Sequence, residues 1–158
     1  AENIVGFLKL ISGGDTIVIA PTDGTEMIAQ AGDLFTGWLD GDFQRYGTNV
    51  PGKPTKDTPV QVFEMIKNGT FAQIFGGFGE NLDRLCLSQG QIISFVQNHS
   101  KWLRADGYVT FFLFKVGDEF FVAYVYRRSD GLYVSAYRLS GGNVWGAEYR
   151  HRFVVPQL

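Results

Sequence analysis

Apolar and polar residues alternate along the last third of the chain in a pattern typical of strands. From residue 108 onward, four apolar runs (YVTFFLFKV, EFFVAYVYRRS, LYVSAYRL and VWGAEYRHRFVV) are separated by short turns. Gly117-Asp118 and Asp130-Gly131 are typical of two-residue hairpin turns, and SGGN makes the longer connection. The valine, phenylalanine and tyrosine of the runs favour strands. The pattern therefore predicts a four-stranded antiparallel meander over residues 108–155.

Residues 1–104 have a different periodicity, which predicts mainly helix. The apolar residues of TDGTEMIAQAGDLFTGWLD recur at three- and four-residue intervals, as on one face of an amphipathic helix. In TPVQVFEMIKNG, Thr58 suits an N-cap and Pro59 the first helical position. TFAQIFGGFG predicts a further helical turn. In SQGQIISFVQNHSKWLR, Ser88 and Gln91 match a capping box, which predicts the start of another helix.

One short strand is predicted within this helical part. The β-branched run Ile17-Val18-Ile19 in DTIVIAP indicates it, and Pro21 ends it. The stretch GDFQRYGTNVPGKPTKDT has no period and predicts a loop. Together the patterns predict one α+β domain over residues 1–158, in which a helical N-terminal part packs on the C-terminal sheet.

Composition narrows the class of protein. The chain has 158 residues, of which 45% are hydrophobic and 14 are phenylalanine, as expected for one globular domain with an aromatic core. No apolar run approaches the roughly 18 residues of a membrane span, so no membrane partner is expected. The single cysteine, Cys86, excludes an internal disulfide and a multi-thiolate metal site, and it fits a reducing compartment. Two histidines, His99 and His151, have no close partner in the sequence, so no metal site is predicted.

Four segments of the chain carry a resemblance: TDGTEMIAQAGDLF, FGENLDRLCLSQGQI, DGYVTFFLFKVGDEFFVAYV and EYRHRFVVPQL. They resemble a family of short hypothetical proteins from uncultivated, candidate-phylum bacteria, and the likeness runs across nearly the whole chain. The resemblance implies a bacterial, cytoplasmic protein. It implies no activity, cofactor or functional residue.

The turns also predict which side chains share a face of the sheet. Three residue pairs follow from them: Val116 with Glu119, Ser129 with Leu132, and Leu139 with Val144. Paired residues point to the same face, so His151 falls on an apolar core face. The opposite face is rich in tyrosine and arginine. Its candidate binding residues are Tyr124, Tyr126, Arg128, Tyr133, Tyr137, Arg150 and Arg152.

Tyrosine and arginine together are typical of binding surfaces. Tyrosine offers a ring and a hydroxyl, arginine offers a forked donor, and both are enriched in interface hot spots. Rings interleaved with arginine also stack bases and hold phosphates on sheet-surface RNA binders. The alternative is an ordinary half-exposed sheet in which arginine stems lie over tyrosine rings.

No catalytic set is found in the sequence, and no cofactor is predicted. The motif GGFGEN lacks the setting of a phosphate loop. Asp40 and Asp42 in LDGDF are carboxylates that hold a cation or are simply solvated. The leading hypothesis is a non-catalytic binding or interaction module that uses the tyrosine- and arginine-rich face for an anionic ligand, single-stranded nucleic acid or a protein partner. The alternatives are a small enzyme with a pocket between sheet and helices, and a structural protein that associates with itself as a homo-oligomer.

Overall fold

A single mixed sheet dominates the computed structural model, which describes residues 3–103 and 108–157. Within these ranges nine strands form the sheet, in the order β1-β2-β5-β9-β6-β7-β8-β4, and β3 pairs with the same edge of β5 as β2. The strands are β1 (Ile4–Val5), β2 (Leu8–Leu10), β3 (Ile17–Ile19), β4 (Trp38–Leu39), β5 (Thr58–Met65), β6 (Val109–Val116), β7 (Glu119–Arg128), β8 (Gly131–Arg138) and β9 (Arg152–Pro156).

Helices are few and short in the described residues. They are α1 (Asp42–Arg45), α2 (Phe71–Gly76) and α3 (Gln89–Asn98), with 3-10 turns at Ile28–Gln30, Leu82–Leu85, Ser100–Trp102 and Ala147–Tyr149. The predicted α+β arrangement, with a mainly helical segment 1–104 packed on a four-stranded meander, is therefore wrong. No helix in the described part of the chain combines the length and apolarity that crossing a membrane requires.

Two predicted helical segments are present, and both begin with a capping box. The Ser88 hydroxyl accepts from Gln91 N at 3.1 Å, and Gln91 Oε1 accepts from Ser88 N at 2.9 Å, at the start of α3. Thr70 and Gln73 make the same reciprocal pair at the start of α2. Because such a pair satisfies two otherwise unpaired backbone donors, it marks a helix start reliably.

The segment from residue 22 to 39 is not the predicted amphipathic helix. Its apolar residues Ile28 and Phe35 are buried, but the chain reaches these positions through a 3-10 turn and an irregular path. Its end lies along the open edge of β8, where Gly37 N donates to a β8 carbonyl at 2.9 Å and β4 pairs in parallel. At the end of this segment, pairing with the sheet edge has replaced helical hydrogen bonds.

The predicted helix from residue 58 onward is strand β5. Its side chains alternate between the two faces, and both faces are buried: Val60 and Val62 on one side, Phe63 and Met65 on the other. Neighbouring strands pair with both of its edges, β2 and β3 on one and β9 on the other. A strand covered on both faces has a nearly continuous apolar sequence, which hides its period of two.

Three of the four predicted C-terminal strands, β6 to β8, are present. Val116 pairs with Glu119 as predicted. At the next turn Arg128 pairs with Gly131, two residues away from the predicted register, so the division of side chains between faces is unchanged. The predicted fourth strand is wrong, because β9 does not pair with β8. It lies between β5 and β6, antiparallel to the first and parallel to the second.

Hydrophobic cores cover both faces of the sheet. On one face, which we call the α3 face, side chains of α3 such as Phe95 pack on Phe112 and its neighbours. On the other, the α2 face, Phe71 and Phe75 of α2 pack on Phe111 and Phe153. This two-sided burial accounts for the high phenylalanine content, because each face requires large apolar side chains.

Candidate functional site

The tyrosines predicted to share a face do so, and they lie on the α2 face. Tyr126 of β7 pairs with Tyr133 of β8, and Val122 of β7 pairs with Tyr137 of β8. Tyr124 is two residues from Val122 and two from Tyr126, so it points to the same face as both. Neighbouring apolar residues on this face are fully buried, whereas these four tyrosines are only half-buried. The face therefore changes from core to surface along β7 and β8.

At the β7–β8 turn the tyrosines are held mainly by each other. Tyr126 and Tyr133 stack with ring centroids 4.9 Å apart and planes 17° from parallel. The guanidinium of Arg128 lies 5.5 Å and 5.6 Å from the two centroids. The Tyr133 hydroxyl donates to Asp130 Oδ2 at 2.5 Å, and this hydrogen bond raises the pKa of Tyr133. These rings are thus engaged within the protein and offer little free surface for stacking.

Further along the α2 face, aromatic side chains surround an open groove of about 420 Å³. We call it the aromatic groove; its lining consists of Tyr108, Val109, Tyr124, Val144, Trp145, Gly146, Tyr149 and His151. None of these is an acidic side chain, lysine or arginine. Of the eight large apolar side chains that are exposed in the described residues, three (Tyr108, Val144 and Tyr149) line this groove. Clustering of exposed apolar surface at a concave site is typical of binding sites.

The segment between β8 and β9 forms one wall of the groove, and it is anchored at several points. Trp145 exchanges backbone hydrogen bonds with Gly69, at 2.8 Å and 3.2 Å. Its ring packs on Phe71 and Phe111, with centroid distances of 5.1 Å and 5.0 Å. Ala147 N donates to a side-chain oxygen of the loop before α2 at 2.8 Å. The groove is therefore largely pre-formed, which lowers the entropic cost of binding.

One polar atom beside the groove lacks a partner. The Trp145 Nε1–H is buried and has no hydrogen-bond acceptor among the described residues. A buried donor in this state costs about 1–3 kcal/mol relative to a satisfied one. Unsatisfied buried groups are rare in native structures, so each requires an explanation such as a ligand or a bound water.

His151 and Tyr149 both line the groove. Val109 N donates to His151 Nδ1 at 3.3 Å, which assigns the proton of the neutral ring to Nε2. Tyr149 stacks on the imidazole at 5.6 Å. His151 is buried among aromatic rings, but on the tyrosine face, which is opposite to the prediction.

The two candidate arginines of EYRHR do not lie together. Arg152 pairs with Glu64 and Thr110, which places it on the α3 face, away from the tyrosines. There its Nη1 donates to the Trp102 carbonyl at 2.8 Å, and its Nε lies 3.8 Å from the Glu64 carboxylate. Placing Arg152 on the tyrosine face was therefore wrong.

Arg150 is exposed and lies in the turn before β9, between two residues that line the groove. The prediction failed because it assumed unbroken strand geometry from residue 144 onward. A 3-10 turn at Ala147–Tyr149 and a left-handed residue at position 150 interrupt the period of two.

Tyr124 and Tyr137 stay neutral over a wide pH range, because the pKa of each is raised. Burial, followed by the neighbouring tyrosines Tyr137 and Tyr126, raises the pKa of Tyr124, and the nearby arginine opposes the shift only in part. Burial also raises the pKa of Tyr137. Within the described residues, the hydroxyls of Tyr124 and Tyr137 make no hydrogen bond, and neither is enclosed in the interior. They are neutral donors and acceptors that a ligand can use.

Asp40 and Cys86 lie outside the lining of the groove. The buried Asp40 carboxylate accepts hydrogen bonds from Asp42 N at 2.9 Å and Ala136 N at 3.1 Å, so it closes the edge of β8 and is not a solvated surface group. The Cys86 thiol is half-buried, and burial raises its pKa to about 12. Among residues 3–103 and 108–157 there is no group of three or more histidine, cysteine or acidic side chains that could hold a metal ion.

Sequence reasoning missed most of the groove. Of its lining residues, only Tyr124 was a candidate; Trp145, Tyr149 and Val144 were assigned to an ordinary strand. A signal for them does exist, because VWGAEY combines three large exposed or half-exposed apolar residues with a glycine just after a polar turn. That combination is unusual for a strand that ends in the core.

No family model matches the chain, and neither a curated protein nor a solved structure matches it. The groove itself is therefore the basis on which a function is inferred.

Proposed function

We propose that the protein is a non-catalytic binding module whose aromatic groove holds an extended, proline-containing segment of a partner protein. The observation that supports this proposal is a pre-formed groove lined by tyrosine, tryptophan and histidine without any charged side chain. Proline-rich segments adopt the polyproline II conformation, which docks into grooves lined by aromatic residues because little conformational entropy is lost.

The hydrogen-bonding groups around the groove suit such a ligand. Polyproline II has no internal hydrogen bonds, so its carbonyl oxygens need donors. Tyr124 and Tyr137 supply neutral hydroxyls, and the unsatisfied Trp145 Nε1–H is a further donor close to the groove. A small adjustment of the indole on binding would pair that donor with a peptide carbonyl. Proline rings would cover the exposed Val144 and Tyr149.

Charge favours a peptide over single-stranded nucleic acid. Nucleic-acid grooves follow the backbone with several cations, and they leave ring faces free for bases. Here Arg152 is on the far face, Arg128 lies over the stacked pair of tyrosines, and the exposed Glu148 is close to Arg150 in the chain. The protein as a whole has a formal net charge of −2.

We also propose a cytoplasmic location, which the single half-buried thiol supports.

Selection from a random 12-residue peptide library displayed on phage tests the proposal. We expect enrichment of peptides with two or more prolines, and micromolar binding of a synthetic selected peptide by isothermal titration calorimetry. Val144→Ser should weaken binding about five- to tenfold, because it removes apolar contact at a largely exposed position of the groove. Val50→Ser is the matched control: Val50 is also exposed, at 49% against 66% for Val144, but lies away from the groove.

Trp145→Phe removes the indole N–H donor and keeps a smaller aromatic ring. We expect weaker peptide binding and a modest loss of stability, because part of the ring that packs on Phe71 and Phe111 is lost. Several results would contradict the proposal. These are a selection without proline enrichment, equal binding by the Val144 and Val50 variants, or tighter binding of a uridine decamer at the groove. A dimer that Val144→Ser dissociates in light scattering would replace the peptide with a second copy of the chain.

A further inference from the structure

Arg150 has a backbone conformation that arginine does not favour. Its φ is 52° and its ψ is 45°, and it is the one non-glycine residue with a positive φ in the described ranges. The left-handed region is unfavourable for residues with a Cβ and is normally occupied by glycine or asparagine. Residues held in this way tend to cluster at functional sites.

The fold does not require an arginine side chain at this position. The contact that ends the 3-10 turn comes from the Arg150 backbone, whose N donates to the Ala147 carbonyl at 3.0 Å, and any residue but proline could supply it. The side chain is exposed, and within the described residues it makes no hydrogen bond or ion pair. Glycine would form the same turn without strain, so an arginine at this position points to a role outside the fold.

The position of Arg150 ties that role to the aromatic groove. Its chain neighbours Tyr149 and His151 both line the groove, so the backbone that carries the guanidinium lies at the rim. A rim guanidinium that is not engaged within the described protein is complementary to a carboxylate, which it binds through two parallel N–H···O hydrogen bonds. The groove itself has no charge, so the acidic group must lie on the ligand beside the part that enters the groove.

We infer that Arg150 recognises an aspartate or glutamate that flanks the proline-containing segment of the partner. This inference rests on the proposed function and adds a specificity to it: an acidic residue next to the proline core. Glu148, two residues earlier and exposed on the same turn, acts in the opposite direction. Its carboxylate repels the acidic residue of the ligand and competes for the guanidinium.

Two synthetic peptides test this inference. They share the proline core enriched from the phage library, and one has glutamate on both flanks where the other has glutamine. We expect the wild-type protein to bind the glutamate peptide about fivefold more tightly at low salt, as is typical of a partly exposed charge pair. Arg150→Gly should abolish this preference and leave the affinity for the glutamine peptide unchanged. Arg150→Lys should retain part of the preference, because the charge remains while the forked geometry is lost.

Two further measurements separate recognition from folding. Arg150→Gly and Arg150→Asn should be at least as stable as the wild type in thermal unfolding, because both residues tolerate a positive φ. Glu148→Gln should increase the preference for the glutamate peptide.

A wild-type protein that binds both peptides equally, or an Arg150→Gly variant that keeps the preference, would overturn this inference and leave the groove proposal intact. Failure of both peptides to bind would overturn the two together.

Discussion

Asp40→Ala removes the carboxylate that closes one edge of the sheet. Asp40 Oδ2 accepts from Ala136 N on β8, and Oδ1 accepts from Asp42 N at the start of α1. Ala136 is only 4% exposed, so water does not readily replace the lost acceptor, and a buried donor left without a partner costs about 1–3 kcal/mol. Loss of the second, partly buried hydrogen bond adds about 1 kcal/mol. We therefore expect the free energy of unfolding to fall by about 3 kcal/mol.

Urea denaturation followed by circular dichroism measures this loss. In a protein of this size, about 3 kcal/mol also corresponds to a decrease in Tm of about 6–12 °C. Amide hydrogen exchange gives a local measure: exchange at Ala136 should be on the order of 100-fold faster, because each 1.4 kcal/mol is a factor of ten.

Asp42→Ala is the matched control for Asp40→Ala. The Asp42 carboxylate pairs with Arg45 at 3.2 Å, and the Arg45 side chain is 69% exposed. Surface ion pairs of this kind contribute less than about 1 kcal/mol. Equal stability of the two variants, or an Ala136 amide that stays protected in Asp40→Ala, would show that the carboxylate does not hold this edge.

Three further predictions address the α3 face, the thiol and the backbone. Arg152→Ala should lower the free energy of unfolding by about 1–2 kcal/mol, because it removes a charged hydrogen bond and an ion pair. Peptide affinity should stay unchanged, and a selective loss of binding would contradict the placement of Arg152 on the α3 face. Alkylation of Cys86 by iodoacetamide at pH 8 should be at least about 100-fold slower in the native protein than in urea. The reason is that a pKa of about 12 in the folded protein leaves almost no thiolate at this pH. Equal rates in the two states would refute this expectation. Gly24→Ala should destabilise the fold by more than about 2 kcal/mol, because φ is +84° and the new Cβ would lie 2.4 Å from the Lys53 backbone. Gly14→Ala, with open space around it, is the control and should have little effect.

The parts of the fold that sequence reasoning predicted are those controlled by local chemistry. The capping box of Ser88 and Gln91 depends on residues three positions apart, and the Gly117-Asp118 turn depends on two adjacent residues. Both are present because no distant contact opposes them. In contrast, Thr58 and Pro59 resemble a helix start, yet pairing on both edges makes this segment a strand. Such pairing is not visible in a local window.

In the candidate site too, sequence reasoning succeeded where neighbouring residues decide the structure and failed where distant strand pairing decides it. The four tyrosines of β7 and β8 were correctly grouped because an error of two residues in register leaves the faces unchanged. The assignment of Arg152 and His151 depended on the partner of the last strand, and that partner is β6, beyond two intervening strands of the chain. The 3-10 turn at Ala147–Tyr149, together with the left-handed residue Arg150 that ends it, shifted the alternation. The groove was missed because it is formed by segments that are distant in sequence.

The position of β9 has a consequence for the order in which the protein folds during synthesis. β9 is the last strand of the described chain to leave the ribosome, yet it occupies the middle of the sheet, between β5 and β6. Until β9 is made, the earlier strands form two separate units, one of β1, β2, β3 and β5 and the other of β4, β6, β7 and β8. Each unit has an open edge where β9 will pair, and open edges favour association with other chains. The wall of the groove is completed by the residues just before β9, so the binding surface and the continuous sheet should form in the same late step. Ribosome-bound chains that stop before residue 144 should therefore depend on chaperones to stay unaggregated.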